Sequence, residues 1–415
     1  MKNGYRSRLS LLMVAVILGI GLAGCIKESQ PIAPPLSGGG SSMDAPTSAP
    51  MLSNAELLQE SWQAYRSRFI QADGRVIDRE AEDRSISEAQ AYAMLRAVFA
   101  DDPEAFALTL AWGENNLQRK GADGRRSDRL WAWTWGKNAQ GRWGVIDANF
   151  ASDGDLDAIT ALILASRRWN RPDYLELAKR KLQDLWTLST VTAASPSGEV
   201  RYFLPGPKAA FQPRSTLIYL NPSYLAPYAF RLFAQVDPNH DWLSLVDSSY
   251  QILDRSASLS SQGLPSNWVA LDLTTGRFAP LPASKPLRTI YGFDAYRVWW
   301  RVALDAAWFD EPRAEAYLQE HLPPLVDLWR SQQAIPAQLD LQGAPLVNYE
   351  STAHYAMLYS ALQLTDPATA EQIRLQKIIP TYQNGFWDND SAYYTQNLCW
   401  FGLFPPNQVN NWLQP

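Results

Sequence analysis

The sequence predicts an all-α chain, on three observations. From Asn54 onward, apolar residues recur at three- and four-residue spacing almost without a break, the periodicity of helices with one buried face. Pro103, Pro172, Pro222, Pro312 and Pro367 fall near proposed helix starts, where a missing N–H does no harm. No regular alternation of strands with helices occurs, which counts against a TIM barrel. With 415 residues, 46% of them hydrophobic, the chain can bury a large core.

The first segment is read as a targeting sequence and set aside from the fold. Lys2, Arg6 and Arg8 give it a positive start, Leu11 to Leu22 an apolar middle, and Leu22-Ala23-Gly24-Cys25 resembles a bacterial lipobox. Residues 1–24 are therefore expected to be a lipoprotein signal peptide, with a lipid on Cys25 tethering the mature protein to a membrane. An ordinary signal peptide or signal anchor is the alternative; the apolar run is short for a spanning helix. Residues 25–51, rich in Pro, Ser and Gly, read as a disordered tether with nothing to bury. Residues 52–415 form the remaining domain.

Within it, helices are expected near 54–70, 87–100, 103–119, 155–169, 172–188, 222–236, 240–258, 293–309, 312–331, 349–363, 366–378 and 390–403. Three stretches between them, 121–150, 190–221 and 263–290, are longer than connections need to be, and long loops are commonly functional. They are expected to wall one end of the molecule and to carry short strands near 198–204 and 268–278.

Composition excludes several classes of function. A net charge of −5, a pI of about 5.4 and no basic block beyond short arginine pairs argue against nucleic acid. The only cysteines are Cys25 and Cys399, so no disulfide is expected if Cys25 is modified. The three histidines are scattered and give no zinc cluster. Asp153-Gly154-Asp155-Leu156-Asp157 opens like a calcium loop, but the sixth position is Ala158 and the twelfth Leu164, so that reading is rejected. No metal or other cofactor is expected. Neither a Gly-x-Ser-x-Gly elbow nor a Walker loop is present.

What the sequence does offer is acids at helix starts. Glu88 lies in Ser87-Glu88-Ala89-Gln90-Ala91-Tyr92, Asp153 in Ala151-Ser152-Asp153-Gly154-Asp155, and Asp294 in Phe293-Asp294-Ala295-Tyr296-Arg297. Each could be no more than a cap or a first-turn acid favoured by the helix dipole. Arg297, three residues beyond Asp294, shares its helix face and could hold that carboxylate ionised, or form a bare ion pair. Between the acids, Trp131, Trp133 and Trp135 alternate and would share a face in an extended stretch. Indoles suit the CH face of a pyranose, and the chain carries 17 Trp and 18 Tyr. Separate acids plus a tryptophan-rich segment suggest carboxylate catalysis in a sugar-binding cleft.

These segments resemble glycoside hydrolase family 8, and most closely the endoglucanases that accompany bacterial cellulose synthesis. Residues 151–169 match the family signature except at Ala158 and Ile159, where Ile or Met and then Ala are usual. Trp133-x-Trp135-Gly136-Lys137 and Asn221-Pro222-Ser223-Tyr224-Leu225 match as well, and the resemblance runs from about Leu52 to Phe404. It implies an (α/α)6 barrel, a toroid of six helical hairpins with a cleft at one end. It also implies an inverting mechanism in which Glu88 is the general acid, Asp294 the general base, and Asp153 binds the distorted sugar.

Trp133, Trp135 and Tyr224 are the expected sugar platforms, with Trp131 and Trp143 as further candidates; at least one of these indoles is expected to have a core or interface role instead. Arg297, Tyr92 and Asp155 complete the substrate-binding set. Relatives often carry Tyr where this chain has Phe293, so Tyr291 or Tyr224 would have to position the water. The implied activity is an endo-β-1,4-glucanase acting on cellulose or a related β-glucan. Xylanase, chitosanase or mixed-linkage glucanase activity, or a weakened glycan-binding protein of a secretion system, are the alternatives. The expected setting is the cell envelope, with the protein as a monomer facing the periplasm or outside, and an exopolysaccharide synthase as a possible partner.

Overall fold

The computed structural model describes residues 53–195 and 198–414; the signal segment 1–24, Cys25 and the 25–51 stretch lie outside them. Fourteen α-helices occur among the described residues. They are α1 (Asn54–Phe69), α2 (Ser87–Phe99), α3 (Pro103–Asn116), α4 (Ser152–Arg168), α5 (Pro172–Ser189), a single turn α6 (Lys208–Phe211), α7 (Pro227–Val236), α8 (Trp242–Ala257), α9 (Phe293–Phe309), α10 (Pro312–His321), α11 (Pro323–Gln332), α12 (Thr352–Thr365), α13 (Pro367–Ile373) and α14 (Tyr393–Leu403).

Burial sorts them into two rings. Every residue of α2 except Glu88 is buried, as is every residue of α4 except Arg167 and Arg168. α7, α9, α12 and α14 are likewise buried over most of their residues, the mark of helices enclosed by others. These six pack in a closed cycle, α2–α4–α7–α9–α12–α14 and back to α2. Each has an outer partner: α3 on α2, α5 on α4, α8 on α7, α10 on α9, α13 on α12, and α1 on α14. The result is an (α/α)6 toroid whose seam joins the first described helix to the last.

Each outer helix carries the chain back, so the inner helices run in one direction and their N-termini gather at one end. The two rings begin differently. Ser53, Asp102, Asp241, Glu311 and Asp366 cap the outer helices α1, α3, α8, α10 and α13 through their side chains. No inner helix has a side-chain cap. Asp153 and Ser152 are not caps; the cap position of α4 is Ala151.

Departures from the expected helices follow proline. The helix expected over 222–236 opens as a 3-10 turn, Pro222–Tyr224, and α7 starts afresh at Pro227, because the residue before a proline resists the helical conformation. The helix expected over 312–331 breaks at Leu322 before Pro323 and Pro324. Small antiparallel sheets fill the insertions: 85–86 with 134–137 and 143–147, 118–120 with 126–131, 190–195 with 198–203, and 217–220 with 269–272 and 278–279.

Candidate active site

A cleft of about 360 Å³ opens at the end where the inner helices begin. It is within the usual range for small-molecule sites. Glu88, Asp153, Asp294, Tyr393 and Tyr394 reach it from the first turns of α2, α4, α9 and α14, and Tyr224 from the turn ahead of α7. All three long insertions contribute to its walls, through Trp133 and Phe150, Pro205 and Phe211, and Trp268 and Leu287. The positive ends of uncapped helices thus converge on a carboxylate-rich site, where they favour the negative charge.

The close approach of α2 and α4 depends on Gly154. A Cβ there would lie 2.7 Å from Ser87 Oγ and 3.0 Å from Glu88 N, so only glycine lets the two helix starts touch. That contact brings Glu88 and Asp153 together. Arg297, fully buried, then gathers all three acids. Its Nη1 donates to Glu88 Oε2 at 2.5 Å and to Asp153 Oδ2 at 2.9 Å, while Nη2 donates to Asp294 Oδ1 at 3.0 Å. Ser223 Oγ accepts from Nη2 at 3.0 Å and the Tyr224 ring lies 5.3 Å from the guanidinium carbon, so the Asn221–Leu225 motif holds the same arginine. The three acids are not alike in access. Side-chain exposure is 1% for Asp153, 12% for Glu88 and 33% for Asp294, which leaves Asp294 the most open to water.

Burial dominates the proton affinity of Glu88. It pushes the carboxyl up to about 7; Arg297 pulls the other way, Asp153 and Asp294 reinforce the rise, and the hydrogen bond from Tyr393 opposes it. Asp294 is also raised above the ordinary carboxylate value, by burial first, with Arg297 opposing and Asp153 reinforcing. Its Oδ2 accepts from Trp268 Nε1 at 3.1 Å. The Trp268 ring stacks on Phe211 at 5.7 Å and meets Tyr224 at 6.0 Å, forming an aromatic wall beside Asp294.

Among the expected sugar platforms, Trp133 and Tyr224 line the cleft. The Trp133 carbonyl accepts from Ser87 N at 3.0 Å, which fixes that indole next to Glu88. Trp131 and Trp135 do not line it. The strand breaks at Ala132 and Trp133, so the three tryptophans share no face. Trp131 is fully buried, with Nε1 donating to Glu114 at 2.8 Å. Trp135 packs edge-on against Trp112 and stacks on Trp143, which is 44% exposed outside the cleft.

Tyr92 and Asp155 are not at the surface either. Tyr92 lies beneath Arg297, its hydroxyl accepting from Nη1 at 3.2 Å. Asp155 accepts from the backbone N of Trp131 at 3.0 Å, and burial raises it to about 7 against the pull of Lys181. The period of a helix turned both away from the cleft. Tyr291 is also withdrawn: its hydroxyl is engaged by Trp299 Nε1 at 2.9 Å and by His354.

Trp268, Tyr393 and Tyr394 were not among the residues expected from sequence. Tyr393 OH donates to Glu88 Oε1 at 3.0 Å, and Tyr394 OH to the Phe293 carbonyl at 2.7 Å. Tyr393 and Tyr394 are the first two residues of α14, so they reach the same end of the toroid as the acids that open α2, α4 and α9. Trp268 sits in an insertion without periodicity and left no local signal.

Comparison with known proteins bears on this geometry. The family described as glycosyl hydrolases family 8 matches residues 47–403. An endoglucanase of Xanthomonas axonopodis pv. citri is 34% identical over 281 residues, 67% of this chain and 68% of that protein. An endoglucanase of Escherichia coli K12 is 28% identical over 343 residues, 82% of this chain and 85% of that one. For the fold, the endo-β-1,4-glucanase of Acetobacter xylinum superposes with a TM-score of 0.65 over 83% of this chain and 96% of its own, at 24% identity.

Proposed function

The chain belongs to glycosyl hydrolase family 8 and is a glycoside hydrolase, and from that premise we propose that it is an endo-β-1,4-glucanase that cleaves with inversion. The observation that carries the reading is the placement of Glu88 and Asp294 on separate nitrogens of one buried guanidinium, at the floor of an aromatic-walled cleft.

Glycoside hydrolysis by inversion needs one carboxylic acid to protonate the leaving oxygen and a carboxylate to activate water on the other side of the sugar. Glu88, raised to about 7, holds a proton near neutrality and serves as the acid. Arg297 holds Oε2 and the Tyr393 hydroxyl holds Oε1, so the carboxyl is fixed in orientation at the cleft. Asp294, the most open of the three, takes a proton from the attacking water, with Arg297 and Trp268 Nε1 fixing its two oxygens. Asp153 stays on Arg297 and stabilises positive charge as it develops on the ring. Trp133, Tyr224 and the Trp268 edge hold the chain of sugars, and no step requires a cofactor.

The endoglucanase names of relatives support cellulose or a related β-glucan as substrate. The envelope setting, with a lipid on Cys25 and a synthase as neighbour, remains part of this proposal and rests on the sequence of the first 25 residues. Loss of fatty-acid labelling in Cys25→Ser tests the anchor. For the reaction, soluble cello-oligosaccharides are hydrolysed with the anomer of the first product recorded. The expected product is the α-anomer, and Glu88→Gln and Asp294→Asn each lower kcat by about 10²- to 10⁴-fold. A β-anomer as first product sinks the inverting mechanism. Faster hydrolysis of xylan or chitosan than of cello-oligosaccharides sinks the substrate.

A further inference from the structure

Beneath the acids that meet Arg297 lies a second set of charges that the proposed reaction leaves unused. Asp157 and Arg301 follow Asp153 and Arg297 by four residues, so each lies one turn deeper in its helix, about 6 Å along the axis. Both side chains are fully buried. The carboxylate takes the guanidinium with both oxygens: Oδ1 accepts from Nη1 at 2.9 Å and Oδ2 from Nη2 at 2.8 Å. Tyr228 OH accepts from Nη1 at 2.9 Å. Neither charge lines the cleft. Tyr92, four residues beyond Glu88, stands between the two tiers, within electrostatic reach of Glu88, Arg297, Asp157 and Arg301.

We propose that Asp157 and Arg301 are a positioning pair for the catalytic tier: the carboxylate cancels the arginine charge beneath Glu88 and pins α4 to α9 at the height where Asp153 meets Arg297. This rests on the assignment of Glu88 as the acid. A guanidinium does not shed its proton, so only a paired carboxylate can silence it in a buried site. A two-pronged pair also fixes the axial offset of the helices that carry it. The groups facing Glu88 are Arg297 and Asp294 from α9, Asp153 from α4, Tyr393 and Tyr394 from α14, Tyr224 from the turn ahead of α7, Tyr65 from α1 and Tyr92 from its own helix. Those facing Asp157 are Arg301, Arg297 and Asp153, with the hydroxyls of Tyr92 and Tyr228. With the lower pair neutral, Arg297 is the cation that governs Glu88.

The sign of the effect follows. In Asp157→Asn, Arg301 keeps its charge without a partner and favours the Glu88 carboxylate. The alkaline limb of kcat is expected to move to lower pH, by on the order of one unit, with KM for a cello-oligosaccharide unchanged. The double variant Asp157→Asn/Arg301→Gln carries neither charge and is expected to return the limb to its wild-type position. Arg301→Lys keeps the charge but loses the fork, so kcat falls while the limb stays.

The ¹³C signal of the Glu88 carboxyl in glutamate-labelled protein, assigned by its loss in Glu88→Gln, reports the same titration without turnover. If no glucan is hydrolysed the functional reading fails, yet this signal still tests the pair. An Asp157→Asn carboxyl that titrates as in the wild type overturns the proposal. Should that variant not fold, the neutral double variant decides: a wild-type titration with lowered kcat, the pin being lost, supports the pair, and a shifted titration or an unchanged kcat overturns it.

Discussion

At the scale of single residues, Glu88 has an environment that pulls in two directions, and pH reads the outcome. Burial pushes its carboxyl up to about 7 in the folded protein, from an ordinary value of 4.5. Between those values the folded state holds a proton that the unfolded state has released, so stability falls as pH rises through that window. Glu88→Gln removes this slope. It is expected to have a flatter dependence of unfolding free energy on pH between 5 and 7 than the wild type, measured by urea titration, and equal slopes would count against the raised value. On the proposed mechanism the same proton is expected to set the alkaline limit of activity. Trp268 gives a second residue-scale prediction. Trp268→Phe keeps the stack on Phe211 but removes the N–H that Asp294 accepts. A hydrogen bond to a charged group is worth about 1.5–3 kcal/mol, so kcat is expected to fall by about ten- to hundredfold with KM little changed. Unchanged kcat would remove Trp268 from the reaction.

At the scale of elements, the site is made by how closely helix starts approach, and two glycines separate packing from positioning. Gly154 sits where α4 meets α2 beside Glu88, whereas Gly402 sits where α14 meets α12, with Ala356 O only 2.3 Å from where a Cβ would be. Gly154→Ala and Gly402→Ala each overpack a helix contact and are expected to cost about 1–3 kcal/mol of stability. Only Gly154→Ala is expected also to lower kcat when both are assayed well below their unfolding temperatures, because only it parts Glu88 from Asp153. Equal kcat for the two variants would show that this contact does not set the catalytic geometry. The contrast explains what was legible in the sequence. Helices announce themselves by period, but first-turn acids open outer helices as well, at Glu56, Glu104, Asp173 and Glu315, so it is the motifs around Glu88, Asp153 and Asp294 that single those three out. Facing was less legible: Tyr92 and Asp155 share those helices but turn below the cleft. The Trp131–Trp135 run is alternate in sequence, yet the strand breaks at Ala132 and Trp133 and scatters its indoles. Trp268 and its wall depend on pairing of 217–220 with 269–272 across some fifty residues, which no local pattern encodes.

At the scale of the whole molecule, the direction of the helices decides where the cleft faces. α1 runs antiparallel to α14: the Leu58 carbonyl accepts from Trp400 Nε1 near the end of α14, Tyr65 OH accepts from Asn397, and Arg68 reaches Asp390 just before α14 begins. Arg96, near the end of α2, donates to Ser61 and lies against the rings of Trp62, Tyr65 and Trp400, closing the seam at that depth. Ser53 therefore lies at the end of the toroid where the inner helices finish, opposite the end where Glu88 and Asp294 start theirs. On the proposed anchoring, a lipid on Cys25 would attach the domain through the face opposite the cleft. Shortening the 26–52 stretch by about twenty residues would then bring the domain towards the bilayer without covering the site. On vesicles carrying the lipidated protein, the ratio of activity on polymeric glucan to activity on a short cello-oligosaccharide is expected to stay constant as the stretch is shortened. If the cleft faced the lipid, long chains would be excluded first, and that ratio would fall with every residue removed.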